Sequence, residues 1–191
     1  TGRVTVGANG FNYSNNVNGV SINVGYVPAG VVSTNQTGSV GTIGAGTGSS
    51  SIALSGSPMD GLTVYAGTGT KANATSVENE DDLMTYAAKY AYGPVTVGYQ
   101  FSEYDTYNSA TDYDTTGMSI AYAINDNLSI SYAERTVDIG GATLDEEQTG
   151  ISVGYSMGGM TIKAHNNTVD NVAGAATNDL EHMEIAVSFA F

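Results

Sequence analysis

The sequence has no cysteine, no tryptophan and three prolines, and it sets only five lysines and arginines against nineteen aspartates and glutamates. Without cysteine there is no disulfide framework, no thiolate metal site and no cysteine nucleophile. A net charge of −14 excludes a surface built to grip a phosphate backbone, so nucleic acid is not a partner. No apolar run approaches the ~18 residues a membrane helix needs. That excludes a helical membrane protein but not one that crosses with strands, whose apolar residues fall at every second position. Catalytic signatures are missing too: there is no nucleophile motif and no His-Glu-x-x-His spacing. The glycines, including Gly41, Gly44, Gly46 and Gly48, do not sit between a strand and a helix as a phosphate cradle requires. No signal peptide precedes Thr1-Gly2-Arg3, which already lies inside an alternating pattern, so the expectation is a mature chain or a piece of a longer one.

What the chain has instead is glycine (25 residues), tyrosine (13 residues) and a period of two. Val4, Val6 and Ala8 alternate with Arg3, Thr5 and Gly7, and an Asn/Ser/Gly-rich stretch then runs from Asn12 to Gly19. Val20, Ile22, Val24 and Tyr26 form a second strand, and residues 28–48 read as one long loop. Ile52 and Leu54 turn at Pro58-Met59-Asp60-Gly61 into Leu62 and Val64, and Lys71 to Asp82 reads as a polar loop. Met84, Tyr86, Ala88, Tyr90 and Tyr92 then turn at Gly93-Pro94 into Val95, Val97, Tyr99 and Phe101. A loop from Ser102 to Asp114 follows. Met118, Ile120, Tyr122 and Ile124 turn at Asn125-Asp126-Asn127 into Leu128, Ile130 and Tyr132. After a loop from Val137 to Glu147, Ile151, Val153 and Tyr155 turn at Gly158-Gly159 into Met160, Ile162 and Ala164. A last loop, Asn166 to Leu180, leads to His182–Phe191, with Met183, Ile185, Val187, Phe189 and Phe191 on one face and His182, Glu184, Ala186, Ser188 and Ala190 on the other.

Tight turns near residues 60, 93, 126 and 158, and an end at 191, recur at about 33 residues, and long loops alternate with short turns. This spacing predicts an all-β, antiparallel up-and-down meander of about eleven strands. Each strand is near the ten residues that cross a bilayer at a barrel's tilt. The face opposite the apolar one holds small and polar residues plus Arg3, Lys89, Arg135, Lys163, His165, His182 and Glu184. Polar inside and apolar outside is the arrangement of a transmembrane β-barrel, which makes these seven the expected pore-lining residues. Tyr90, Tyr92, Tyr122, Tyr155, Phe189 and Phe191 near the short turns, and Tyr86, Tyr99, Phe101 and Tyr132 farther away, read as two aromatic girdles.

The closing Ser188-Phe189-Ala190-Phe191, the stretch Arg3-Val4-Thr5-Val6 with Gly19 to Gly30, and Asp60-Gly61-Leu62-Thr63-Val64 resemble the bacterial outer-membrane porins. Those are trimeric, sixteen-stranded barrels. The resemblance implies a homotrimer and makes Phe189 and Phe191 the C-terminal insertion signal. It also implies that residues 1–191, as a single β-barrel domain, lack the first five strands and the constriction loop, since eleven is odd and single-chain barrels are even. The rival is a complete twelve-stranded barrel with Pro28-Ala29-Gly30 as a periplasmic turn.

In the last hairpin, placing Lys163 opposite Glu184 brings His165 opposite His182, an ionisable patch whose charge changes through the histidine range. No cofactor is expected. The acidic loops, with Glu78, Glu80, Asp81, Asp82, Glu103, Asp105, Asp112, Asp114, Asp145, Glu146 and Glu147, offer diffuse Ca²⁺ or Mg²⁺ binding that would bridge neighbouring lipopolysaccharide or subunits. The expected function is a non-enzymatic, passive diffusion channel for small hydrophilic solutes and ions in the outer membrane. The alternative is a secreted β-rich adhesin or fibre subunit that assembles through exposed strand edges.

Overall fold

The structure, a computed structural model, describes residues 3–7, 10–28, 48–72, 80–107 and 112–190. Twelve strands form among them: β1 (Arg3–Gly7), β2 (Gly10–Val17), β3 (Val20–Val27), β4 (Ser49–Met59), β5 (Leu62–Ala72), β6 (Glu80–Tyr92), β7 (Val95–Asp105), β8 (Tyr113–Asn125), β9 (Leu128–Ile139), β10 (Glu146–Met157), β11 (Met160–Asp170) and β12 (Leu180–Phe189). They pair in chain order as an antiparallel meander, with β1 and β12 at the two ends of that order. The strands belong to two compact units. One holds residues 1–87 and 102–112; the other holds residues 88–101 and 113–191.

In the first unit β2 occupies the Asn/Ser-rich stretch that the alternation does not count as a strand. Phe11 and Tyr13 alternate with Asn12 and Ser14 and register with Tyr26 and Val24 of β3, so the pleat is carried by pairing rather than by the weak strand preference of asparagine. Asn18 and Gly19, at φ 51 and 83, close the hairpin, both with the positive φ of a type I′ turn. The described strands therefore number twelve, one more than the alternation shows. An even count removes the odd-number reason for expecting missing strands. The proposed turn at Pro28-Ala29-Gly30 lies, beyond Pro28, outside the described residues.

In the second unit the tight turns fall where expected. Asn125 Oδ1 accepts hydrogen bonds from the N–H groups of Asn127 and Leu128, at 2.9 and 3.0 Å, and so shapes the β8–β9 turn. The strands run farther than their apolar stretches. Lys71 belongs to β5 and Glu80–Asp82 to β6, while β7 reaches Asp105 and β11 reaches Asp170. Alternation is legible only where one face is apolar; beyond it the ladder of main-chain hydrogen bonds continues without a hydropathy signal.

The registers of β8–β12 stack residues into rows. Tyr122, Ile130, Val153, Ala164 and Ile185 form one apolar row; Leu128, Tyr155, Ile162 and Val187 form the next. The apolar band ends at a row of Met118, Glu134, Thr149, Thr168 and Glu181. Phe189 to Glu181 is eight residues, roughly 26 Å along the strand at 3.3 Å per residue. Among the described residues nothing buries these rows: Val137 is the one buried apolar side chain, whereas Ile151 is 52% and Ile185 65% exposed. A water-soluble sheet would bury that face against a second layer.

Gly19 meets nothing within 4 Å of where a Cβ would stand, so its cost on substitution is conformational alone. Gly19→Val is expected to destabilise the chain by about 1–2 kcal/mol. Asn18→Gly should be close to neutral. Denaturant unfolding of detergent-folded protein measures both, and equal effects would remove the turn assignment.

Candidate pore wall

Through three consecutive rows, the opposite face of β8–β12 carries small residues on β8–β10 and its ionisable ones on β11 and β12. Across it run the rows Ser119, Ala133, Gly150, Asn167 and His182, then Ala121, Ser131, Ser152, His165 and Glu184, then Ala123, Ser129, Gly154, Lys163 and Ala186. Gly150 leaves room for the Asn167 amide, since a Cβ there would stand 2.6 Å from Asn167 Oδ1 and the amide would have to turn aside. Arg135 lies one row farther toward the long loops, between Gly117 and Gln148. Apart from Arg135 and Gln148, the face is smooth over these rows of β8–β10 and charged at the last hairpin.

That hairpin departs from the expected register by two residues. His165 is opposite Glu184, Lys163 is opposite Ala186 and His182 is opposite Asn167. A slip of two leaves every side chain on its own face, so all four ionisable residues still share the wall, but their partners change. Glu184 Oε2 is 3.6 Å from His165 Nε2 rather than facing Lys163. The rings of His165 and His182 stack diagonally, with centroids 5.9 Å apart.

Of the remaining predicted residues, Arg3 is in β1, in register with Ser14, and Lys89 is in β6, exposed, on the face of Thr85 and Ala87. Phe189 is the last residue of β12, opposite Met160 and 60% exposed, whereas Phe191 lies outside the described residues. Tyr90 and Tyr92 stack at 6.5 Å beside the Gly93-Pro94 turn.

The first unit holds a cluster that hydropathy does not announce. The Tyr104 hydroxyl donates to Asp81 Oδ2 at 2.7 Å and the Tyr107 N–H donates to Asp81 Oδ1 at 3.1 Å. Lys71 Nζ donates to the Tyr104 hydroxyl oxygen at 3.0 Å and lies 4.0 Å from Asp81 Oδ2. Asp81 is only 7% exposed, and its charge is held by donors on both oxygens. The available signal was parity: Lys71 continues the polar face of Thr63, Gly67 and Gly69.

Several loop acids are likewise committed to internal bonds. Asp112 accepts from the Thr106 N–H at 2.7 Å and its hydroxyl at 3.1 Å, closing the β7–β8 connection. Glu146 accepts from Gln148 Nε2 at 2.6 Å and from the Ala173 N–H at 2.9 Å. Asn171 donates its side-chain amide to the Asp145 carbonyl at 3.1 Å, so the β11–β12 loop is tied to the preceding one. Asp81, Asp112 and Glu146 thus shape loops, which reduces the carboxylate free for diffuse Ca²⁺ or Mg²⁺. Glu78 lies outside the described residues.

A family model described as Gram-negative porin matches residues 3–173. No protein of curated function matches the chain. Among solved structures the chain is similar to a porin refined at 1.8 Å resolution, at TM-score 0.71 and 16% identity, covering 99% of this chain and 64% of that one. It is also similar to a triple mutant of the Rh. blastica porin, at TM-score 0.66 and 17% identity over 96% and 68% of the two chains. An anion-selective porin from Comamonas acidovorans matches at TM-score 0.67 and 11% identity over 95% and 59%. The chain therefore spans about 64% of the length of the first of these porins.

Removing the acceptor at the centre of the first unit's cluster takes away the bonds that Tyr104 and Tyr107 make to Asp81, so Asp81→Ala is expected to cost about 2–3 kcal/mol. Lys71 is half-exposed, and Lys71→Ala should cost under about 1 kcal/mol. Unfolding in denaturant ranks the two; the reverse order would make the ion pair, not the hydrogen bonds, the stabilising contact.

Proposed function

We propose, for a chain that belongs to the Gram-negative porin family and so to the bacterial outer membrane, that it forms the wall of a passive diffusion channel for small hydrophilic solutes and ions. The observation that carries this reading is the pair of faces on the same strands. One is apolar, exposed and bounded by a row containing Glu134 and Glu181; the other is small, polar and charged. Lipid satisfies the first face and water the second. At a strand tilt of about 40° the roughly 26 Å of apolar strand projects to about 20 Å, a little under the ~25 Å band of membrane barrels.

In this reading Arg3, Lys89, Arg135, Lys163, His165, His182 and Glu184 line the water-filled side, and passage needs neither cofactor nor turnover. Selectivity comes from width and wall charge. Phe189 and Phe191 form the insertion signal, the assembly is a homotrimer, and the outer loops meet lipopolysaccharide. The 64% share of a porin's length that the chain spans supports taking residues 1–191 as one part of a larger barrel wall. The alternative of a secreted adhesin gains nothing from the fold, since a water-soluble sheet needs a buried apolar layer.

Refolded protein in a planar bilayer should give discrete conductance steps; silence there, with a soluble monomer in the absence of detergent, rejects the channel. Ile120→Arg, on the apolar face, should cost about 2–4 kcal/mol of stability in lipid. Ala133→Arg, exposed on the other face, should stay within about 0.5 kcal/mol. Equal costs would mean that the faces are misassigned. In salt gradients the double variant Arg135→Gln, Lys163→Gln should shift the reversal potential toward cations. An unchanged potential would take both residues off the conduction path.

A further inference from the structure

We propose that the ionisable face of the β11–β12 hairpin binds a transition-metal dication of the Zn²⁺ class through His165, His182 and Glu184, leaving the remaining coordination positions to water. The three side chains each offer one donor atom, and these atoms lie within 4.8 Å of one another. A tetrahedral site with bonds of about 2.0–2.2 Å sets its donors roughly 3.3–3.5 Å apart. The distance to close is therefore on the order of 1 Å, within reach of side-chain rotation on a fixed backbone.

The frame is fixed by the sheet. His165 and Glu184 are directly opposite in the β11–β12 register, and His182 is two residues before Glu184 on the same face. Two donors on one strand and one across from them converge on a single point above the pleat. Ligands carried by strands are held more tightly than ligands on loops.

The donors are also uncommitted. Among the described residues none of the three makes a side-chain hydrogen bond, and the 3.6 Å contact between His165 and Glu184 exceeds hydrogen-bond length for a charge-assisted pair. Binding a metal therefore breaks little. Two imidazoles and one carboxylate favour zinc, copper or nickel over calcium or magnesium, which prefer all-oxygen sites. The surroundings are small and polar: Ser152 is opposite His165 and Asn167 is opposite His182. Lys163, two residues from His165 on the same face, opposes the cation, while the chain's net charge of −14 favours it.

The test uses the whole chain folded in detergent micelles at neutral pH, titrated calorimetrically with ZnCl₂. One equivalent should bind with a micromolar dissociation constant. His165→Ala and His182→Ala should each weaken binding by roughly tenfold or more. Glu184→Gln should weaken it several-fold, and Lys163→Ala should not weaken it. Circular dichroism confirms that each variant is folded. Independently of any variant, one equivalent of Cu²⁺ on the unmodified protein should show imidazole-nitrogen hyperfine coupling in its electron paramagnetic resonance spectrum. Absence of saturable Zn²⁺ binding up to about 1 mM, equal binding by the double histidine variant, or an oxygen-only Cu²⁺ spectrum would each overturn the site. None of these measurements involves conduction, so they leave the channel reading to stand or fall by its own test.

Discussion

Main-chain hydrogen bonding between neighbouring strands is the constraint on which everything else in this chain depends. A core would ordinarily share that task, but here the apolar side chains stand exposed, and Val137 is the one buried apolar side chain among the described residues. The strands are therefore held by their ladders, by short turns and by cross-strand rows. In hydrocarbon an unpaired amide costs several kcal/mol, so the medium that accepts the apolar face also enforces the pairing. The two requirements reinforce each other: a sheet with one face in lipid cannot lose a strand locally without exposing unsatisfied backbone.

The polar side of the same strands is specialised by position. In the three rows over β8–β10 on the short-turn side of Arg135 it is Ser, Ala and Gly, which project little into the space in front of the sheet. At the last hairpin it carries a lysine, two histidines and a glutamate. Toward the long loops, carboxylates change role, because Asp81, Asp112 and Glu146 each accept two hydrogen bonds from donors of their own unit. An acidic loop sequence thus splits into acids that shape the chain and acids that face solvent, a distinction that composition does not make.

How far the sequence could be read follows the same physics. Strand β12 and the turns near residues 60, 93, 126 and 158 were legible, because alternation and turn chemistry are local. Strand β2 was not, since Asn12, Ser14, Asn15 and Asn16 mask the period that Phe11, Tyr13 and Val17 keep; the dipeptide Asn18-Gly19 between Val17 and Val20 was the available sign. Strand ends were missed wherever the apolar band stops before the ladder does. The register of β11 against β12 was missed by two because hydropathy fixes parity, whereas the pairing itself is set by a nine-residue connection with its own 3-10 turn at Val172–Gly174. The Lys71–Tyr104–Asp81 cluster joins three different strands, which no local pattern predicts.

Because each strand pairs with its chain neighbours and the tight turns recur about every 33 residues, the hairpin is a copyable unit. Duplicating or deleting one returns the following strand to the same edge, in the same direction and with the same face outward. A single strand cannot be gained or lost in this way without reversing everything downstream. The length of the repeat is pinned by the thickness of the apolar layer it crosses, but the number of repeats is not. Circumference is then the dimension that inheritance is free to change, in steps of two strands, while height stays fixed.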